Sequence, residues 1–183
     1  MSSNAISRRR CRVAIAYSLA FIATVLGLTI SSLTQENQPA RTASSRPEED
    51  EIRQTIAKYA RSVDEADTVL ASQVWLDSPD VSFIHPLGHE HGFDQIKQNV
   101  YKHLMGDTFS ERNLSIHNIA VHVYGNAAWA EFYWDFAATF RKDGSPITTH
   151  GRETQVYRKT AEGWRLVHVH YSGMPATEGR TGF

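Results

Sequence analysis

The chain has 183 residues, 41% of them hydrophobic and 10% aromatic, enough for one well-packed domain and an N-terminal extension but not for a second domain. Its 19 basic and 20 acidic side chains nearly cancel; Arg8, Arg9, Arg10 and Arg12 face only Glu36 within residues 1–40, so the remainder keeps 15 basic and 19 acidic groups. That mildly acidic remainder has no basic stripe interleaved with aromatics, and so no electrostatic footprint for nucleic acid.

Behind the arginine cluster, residues 13–33 (VAIAYSLAFIATVLGLTISSL) form an apolar run of the length that crosses a bilayer core. It reads as a secretory signal peptide or an N-terminal membrane anchor, with the following domain outside the cytoplasm, periplasmic or extracellular. The membrane is a partner only through this segment. Cys11 is the single cysteine and precedes the run, so the exported part has no disulfide, no cysteine nucleophile and no cysteine metal ligand. Residues 34–47 are polar and small, which suits a flexible linker; a domain over 48–175 and a tail over 176–183 follow.

Ser45, Pro47 and the acidic Glu48, Glu49 and Asp50 suit a helix start. Ile52, Ile56, Tyr59, Ala60 and Val63 recur at helical spacing, which predicts an amphipathic helix ending near Asp64. Asp67 caps a shorter helix whose buried side carries Val69, Leu70, Val74 and Trp75. VSFIHP is a short strand stopped by Pro86, because proline cannot donate to a ladder. Gly88 to Gly92 reads as a loop, and Phe93, Ile96, Val100, Tyr101 and Leu104 mark a third helix. The period then changes. Leu114 to Tyr124, Ala127 to Phe140, Ile147 to Lys159 and Trp164 to Ser172 are strand-like runs separated by turn residues. Helices first and long antiparallel strands afterwards predict an α+β fold, with three N-terminal helices packed in a curved antiparallel sheet that leaves a cone-shaped cavity.

The hairpin ITTHGRETQVYRKTAEGWRLVHVHYS carries the most chemistry. Alternation groups His168, His170 and Ser172 on one face and Val167, Val169 and Tyr171 on the other. On the partner strand it separates His150, Arg152 and Thr154 from Gly151, Glu153 and Gln155. In WAEFYWDF, Trp129, Glu131, Tyr133 and Asp135 share a face.

The element order resembles the nuclear transport factor 2-like superfamily, which includes ketosteroid isomerases, scytalone dehydratases and SnoaL-like proteins. Glu153, Thr154, Tyr157, Arg158, Gly163, Trp164, Val167, His168, His170, Ser172, Gly173 and Pro175 are similar to the closing segment of the calcium/calmodulin-dependent protein kinase II association (hub) domain. HPLGHEHGFDQI resembles bacterial SnoaL-like proteins. The resemblance implies self-association, as a dimer or larger, and a pocket for a small organic ligand. It also implies that Asp135, Tyr133, Glu153, Gln155 and Tyr171 look into the cavity, while Arg152, Thr154, His168 and His170 form a structural or interface layer. Positions aligned with the arginines of the hub pocket hold Asp135, Gln155 and Tyr171 here, so an acidic ligand is not implied.

Two functions fit these residues. One is a ligand-holding, self-associating domain. The other is an isomerase or dehydratase with Asp135 or Glu153 as general base and Tyr133 or Tyr171 as donor, since a desolvated carboxylate and a hydroxyl aimed at a developing oxyanion suffice for proton shuttling. His168 with His170, and His85, His89 and His91, raise the question of a metal; with no cysteine and no fixed third ligand, none is assigned. No Gly-x-Ser-x-Gly elbow, phosphate loop or dinucleotide fingerprint occurs, and no cofactor is predicted.

Overall fold

The computed structural model describes residues 45–174. Helix α1 spans Ser45–Glu65 and buries Ile52, Ile56, Tyr59 and Val63, the stripe expected from their spacing. Helix α2, Thr68–Val74, starts where the Asp67 carboxylate accepts from Val69 N at 2.7 Å and from Leu70 N at 3.0 Å. That start turns Leu70, Ala71 and Val74 inward and leaves Val69 68% exposed, so Val69 is not on the buried side as its position in the apolar run had implied.

Strand β1, Ser82–His85, turns through Pro86 and Leu87 into β2, Gly88–His91. The expected Gly88–Gly92 loop is therefore mostly strand: Phe83 pairs with Glu90 and Ile84 with His89, and the alternation buries Glu90 between two exposed histidines. The third helix opens with one α-turn, α3 (Gly92–Gln95), and continues as a π-helical stretch over Ile96–Asp107. Ile96, Val100 and Tyr101 are its buried side chains.

Four long strands complete the chain: β3 (Phe109–Tyr124), β4 (Ala127–Phe140), β5 (Pro146–Thr160) and β6 (Gly163–Gly173). They form one six-stranded sheet in the order β2-β1-β6-β5-β4-β3. The consecutive pairs are antiparallel, as expected, but β1 lies parallel to β6, so the sheet is mixed. Irregularities at Phe109/Glu111 and His117/Ala120 in β3, the second with Asn118 at φ 55°, interrupt its ladder and bend it, as bulges do. The face toward the helices carries Ala128, Ala130, Phe132, Trp134, Phe136 and Ala138 from β4 and Leu166 and Val169 from β6, all buried. A register shift between Val156 and Tyr157 inserts an extra residue on the β6 side, so Leu166 and Val169 share the buried face and Val167 leaves the alternation with Val169 and Tyr171.

One arginine ties the helical layer to the sheet. Arg112 on β3 donates to the carbonyls of Asp64 at 2.9 Å, Met105 at 2.9 Å and Phe109 at 2.6 Å. The Asp64 carboxylate in turn accepts from Leu114 N at 2.6 Å. These bonds fix the ends of α1 and of the π-helical stretch against the sheet, which holds the cone open at that end.

Gly151 has a different role. A Cβ there would lie 2.6 Å from Trp134 Cε2 and 2.6 Å from Ser172 O, so the indole of Trp134 rests directly on β5 backbone.

Candidate functional site

Helix α1, the π-helical stretch, the turn at Pro86 and Leu87 and the concave face of the sheet line a cavity of about 330 Å³. Its wall is mainly apolar, with Val63, Leu104, Phe109, Leu114 and Phe136 among the contributors. Polar side chains break that wall at five places: Tyr59 from α1, His85 from β1, Thr149 and Glu153 from β5 and Tyr171 from β6. Trp134 also lines it, with a buried indole N–H that has no partner among the described residues.

Glu153 is 5% exposed. Its Oε1 accepts from Gln155 Nε2 at 2.6 Å, and Tyr59 also hydrogen-bonds to it. Gln155 Oε1 accepts from the Tyr157 hydroxyl, so a line of polar groups runs from the cavity into the core along one face of β5. Burial raises the Glu153 carboxyl to about 7, against the smaller opposing effect of its two hydrogen bonds. Burial and the neighbouring Glu153 carboxylate raise the hydroxyls of Tyr59, Tyr157 and Tyr171. They are therefore protonated donors at neutral pH.

A second polar cluster adjoins the same cavity. His85 Nε2 lies 3.4 Å from Glu90 Oε1, both side chains being close to nine-tenths buried, and Asn99 Nδ2 donates to Glu90 Oε2 at 2.6 Å. Gly88, a residue without a side chain, sits over this pair.

The predicted pocket group is split by the sheet. Glu153 and Tyr171 line the cavity, and Gln155 supports Glu153 from beneath. Tyr133 and Asp135 do not reach it. In β4 the cavity face belongs to Phe132, Trp134 and Phe136, and strict alternation sends Tyr133 and Asp135 to the opposite face. There Asp135 Oδ1 pairs with His150 Nδ1, and its Oδ2 lies 3.6 Å from His117 Nδ1. Asp135 is thus a half-exposed carboxylate shared by two imidazoles rather than a cavity base.

Arg152 and Thr154 lie on that outer face, opposite Ser172 and His170. His168 stands opposite Val156 on β5 and Ser82 on β1, and its side-chain hydrogen bond, to Ser82 Oγ at 2.7 Å, goes to β1 rather than to β5. Burial, then His170 and His89, lower its basicity. Among the described residues, no group of three or more His, Cys, Asp or Glu is placed to hold a metal ion.

Tyr59, Glu90 and Asn99 had not been recognised as site residues. The helical spacing marks Tyr59 only as one member of the α1 apolar stripe. A tyrosine among aliphatic side chains needs a partner for its hydroxyl, and that was the available signal. The sequence places His85 with His89 and His91 around a loop; β2 separates them, with His89 and His91 exposed and His85 on the cavity wall.

A curved sheet closed by helices over an apolar cavity is the cystatin-like architecture of nuclear transport factor 2-like proteins. Residues 52–177 match the SnoaL-like domain model, and the chain belongs to that family. A nuclear transport factor 2-like superfamily protein from Salmonella enterica serovar Typhimurium is 48% identical, with a TM-score of 0.74 over 77% of this chain and 100% of that one. A candidate dehydratase of the same superfamily from Streptomyces avermitilis is 20% identical, with a TM-score of 0.63 over 71% and 99% of the two chains. A candidate calcium/calmodulin-dependent protein kinase II association domain from Xanthomonas campestris is 18% identical, with a TM-score of 0.58 over 68% and 86%. A search of curated proteins finds no match. The last two likenesses concern the fold alone.

Proposed function

We propose that the cone binds a small, largely apolar cyclic molecule and that Glu153 exchanges a proton with it, in the manner of an isomerase or dehydratase. The observation that carries this reading is the carboxyl group raised to about 7 at the wall of an otherwise apolar cavity. At neutral pH such a group is present both as base and as acid, the condition for efficient proton transfer in either direction. Tyr171 supplies a hydroxyl donor beside it for charge that develops on a carbonyl oxygen. The Streptomyces candidate dehydratase gives this chemistry a precedent in name on the same fold. Asp135, on the outer face, has no part in the reaction.

The test is a thermal-shift screen of small cyclic ketones, followed by NMR of the stabilising ketones in D₂O. Wild-type protein is expected to exchange deuterium into the position next to the carbonyl, and Glu153→Gln to keep binding but lose exchange. Equal exchange in the variant, or no stabilising ketone, refutes the reading; Tyr171→Phe is expected to weaken binding.

Self-association belongs to the same proposal, through the outer sheet face that carries Arg152, Thr154, His168 and His170. The Xanthomonas candidate association domain supports it by name. Sedimentation at micromolar concentration is expected to give a dimer or larger, and a monomer would overturn it. Export is proposed from residues 1–33, which lie outside the described residues; among those described, no helix is long and apolar enough to cross a membrane. N-terminal sequencing of the product tests it, a start near residue 30 indicating cleavage and an intact Arg8 a retained anchor.

A further inference from the structure

Imidazoles are gathered on one side of the sheet. Of the nine histidines, only His85, on the cavity wall, and His103, on the π-helical stretch, lie elsewhere. Strand pairing sets the others in rows across the outer face. His91, Ser82, His168, Val156, Trp129 and His122 form one row through all six strands. His89, Ile84, His170, Thr154, Glu131 and Ala120 form the next. Beyond it stand Arg152 and His117, then His150 and Asp135. On the opposite flank Arg158 faces Arg165, whose guanidinium lies 3.0 Å from Glu162.

Acid groups to balance these imidazoles are few. Asp135 serves His117 and His150. His89, His91, His122, His168 and His170 have no ion pair among the described residues, and Glu131 is the one carboxylate in their two rows. The rings of His89 and His91 are 3.9 Å apart between centroids. Two strand spacings, roughly 10 Å, separate them from His168 and His170, close to the screening length of dilute salt. A proton on one of these rings therefore opposes a proton on the next. When neutral, the same face suits packing: His122 stacks on Trp129 at 4.1 Å, and Ile84 and Val156 lie between the histidines. A groove of about 270 Å³ at its centre is lined by Glu131, Tyr133, Arg152 and Thr154. Glu131 and Arg152 have no ion pair among the described residues, so in a two-fold pairing each can answer the opposite charge of a second copy.

We infer that pH gates the pairing of two copies through this face: the copies hold together while the imidazoles are neutral and separate as they take up protons. This rests on the self-association reading above and names its regulation. A two-fold pairing lays the face against itself, so each positive charge gained by one copy is also gained by the other, and a charged imidazole is costly to take out of water. Separated copies therefore bind protons more readily than the pair. Lowering the pH through the ordinary imidazole range, near about 6.5, favours separation, and raising it restores the pair. One imidazole that must stay neutral in the pair weakens association about tenfold between pH 7.5 and 5.5, and one in each copy about a hundredfold. The export proposed above puts this face where pH follows the surroundings.

The test is sedimentation velocity of the full chain in a non-ionic detergent that shields residues 13–33, at pH 7.5, 6.5 and 5.5 and constant ionic strength. Near-UV circular dichroism in parallel reports whether each copy stays folded. The expected result is a Kd that rises at least about a hundredfold from pH 7.5 to 5.5, reverses on return to pH 7.5, and leaves the circular dichroism unchanged. In the triple variant His89→Gln, His91→Gln, His170→Gln the ratio of the two Kd values is expected to fall below about tenfold, one imidazole's share. His103→Gln, off the face and beside Asp107, is expected to keep the wild-type ratio. A Kd that is the same at both ends of the range overturns the inference and leaves self-association standing; a monomer at every pH overturns both. A triple variant with the full wild-type ratio, a His103→Gln variant that loses it, or a separation that appears only with loss of the near-UV signal also overturns the gate.

Discussion

Replacing Glu153 by glutamine removes a charge from the cavity wall and keeps the shape of the side chain. Burial raises the wild-type carboxyl from the ordinary 4.5 to about 7. The folded protein therefore holds this proton at pH values where the unfolded chain has released it. Below about pH 4.5 both states are protonated and the group contributes nothing to pH dependence. As pH rises from there to about 7 the unfolded state ionises alone, and stability falls. Each pH unit of that interval corresponds to about 1.4 kcal/mol, so the full loss is about 3 kcal/mol. Glutamine can still accept from Gln155 and Tyr59 through its carbonyl oxygen. Urea unfolding of both proteins from pH 4.5 to 8.5 should thus give stabilities that agree at the acid end and diverge toward neutrality. By pH 8 Glu153→Gln should be the more stable by about 3 kcal/mol. Asp64 is also raised, by burial, and His168 is lowered, but both are common to the two proteins and cancel in the difference. Two curves that stay parallel across the range would mean that Glu153 ionises as it does in the unfolded chain, and the reasoning about the cavity carboxyl would fall.

Two further substitutions test other parts of the structure. Arg112→Met keeps the aliphatic stem but leaves the carbonyls of Asp64, Met105 and Phe109 without their donor; a loss of about 3 kcal/mol is expected for three partly solvated charge-assisted bonds, and a loss under about 1 kcal/mol in denaturant titration would refute the clamp. Asp135→Asn should leave ketone binding and deuterium exchange unchanged and shift stability by less than about 1 kcal/mol, because its ion pairs lie half in solvent; loss of exchange would return Asp135 to the reaction.

The contrast between Asp135 and Glu153 shows how far the residues alone could lead. Both sit in strands whose existence follows from β-branched and aromatic runs, and the alternation within each strand is legible. Alternation separates two faces but does not say which is the inner one. In β4 both faces carry aromatics, Trp129 and Tyr133 on one and Phe132, Trp134 and Phe136 on the other, so hydrophobicity could not decide. Burial decides it: Phe132, Trp134 and Phe136 are 2%, 5% and 8% exposed. β5 is less ambiguous, because Tyr157 and Gly151 accompany Glu153 and Gln155 on the same side. The His85 cluster was hidden for another reason. Its geometry depends on β2, and GHEH has two histidines and a glycine in four residues, a composition with no strand signal of its own. Pairing with β1 makes it a strand, and only that pairing turns Glu90 inward.

Gly151 gives the cone its depth. A glycine in the middle of a long strand widens the choices of the unfolded chain and contributes no side chain to the core, a disadvantage of roughly 0.5–1 kcal/mol against alanine. What it provides is a seat for the Trp134 indole, which sinks onto the backbone where a methyl group would hold it away. Raised by the thickness of one methyl, that indole would stand in the space that Glu153 and Tyr171 border. The size of molecule the cone admits is therefore written in an atom the chain lacks. Among relatives of this fold, the residue at this strand position should track the bulk of the ligand more closely than any residue that touches it.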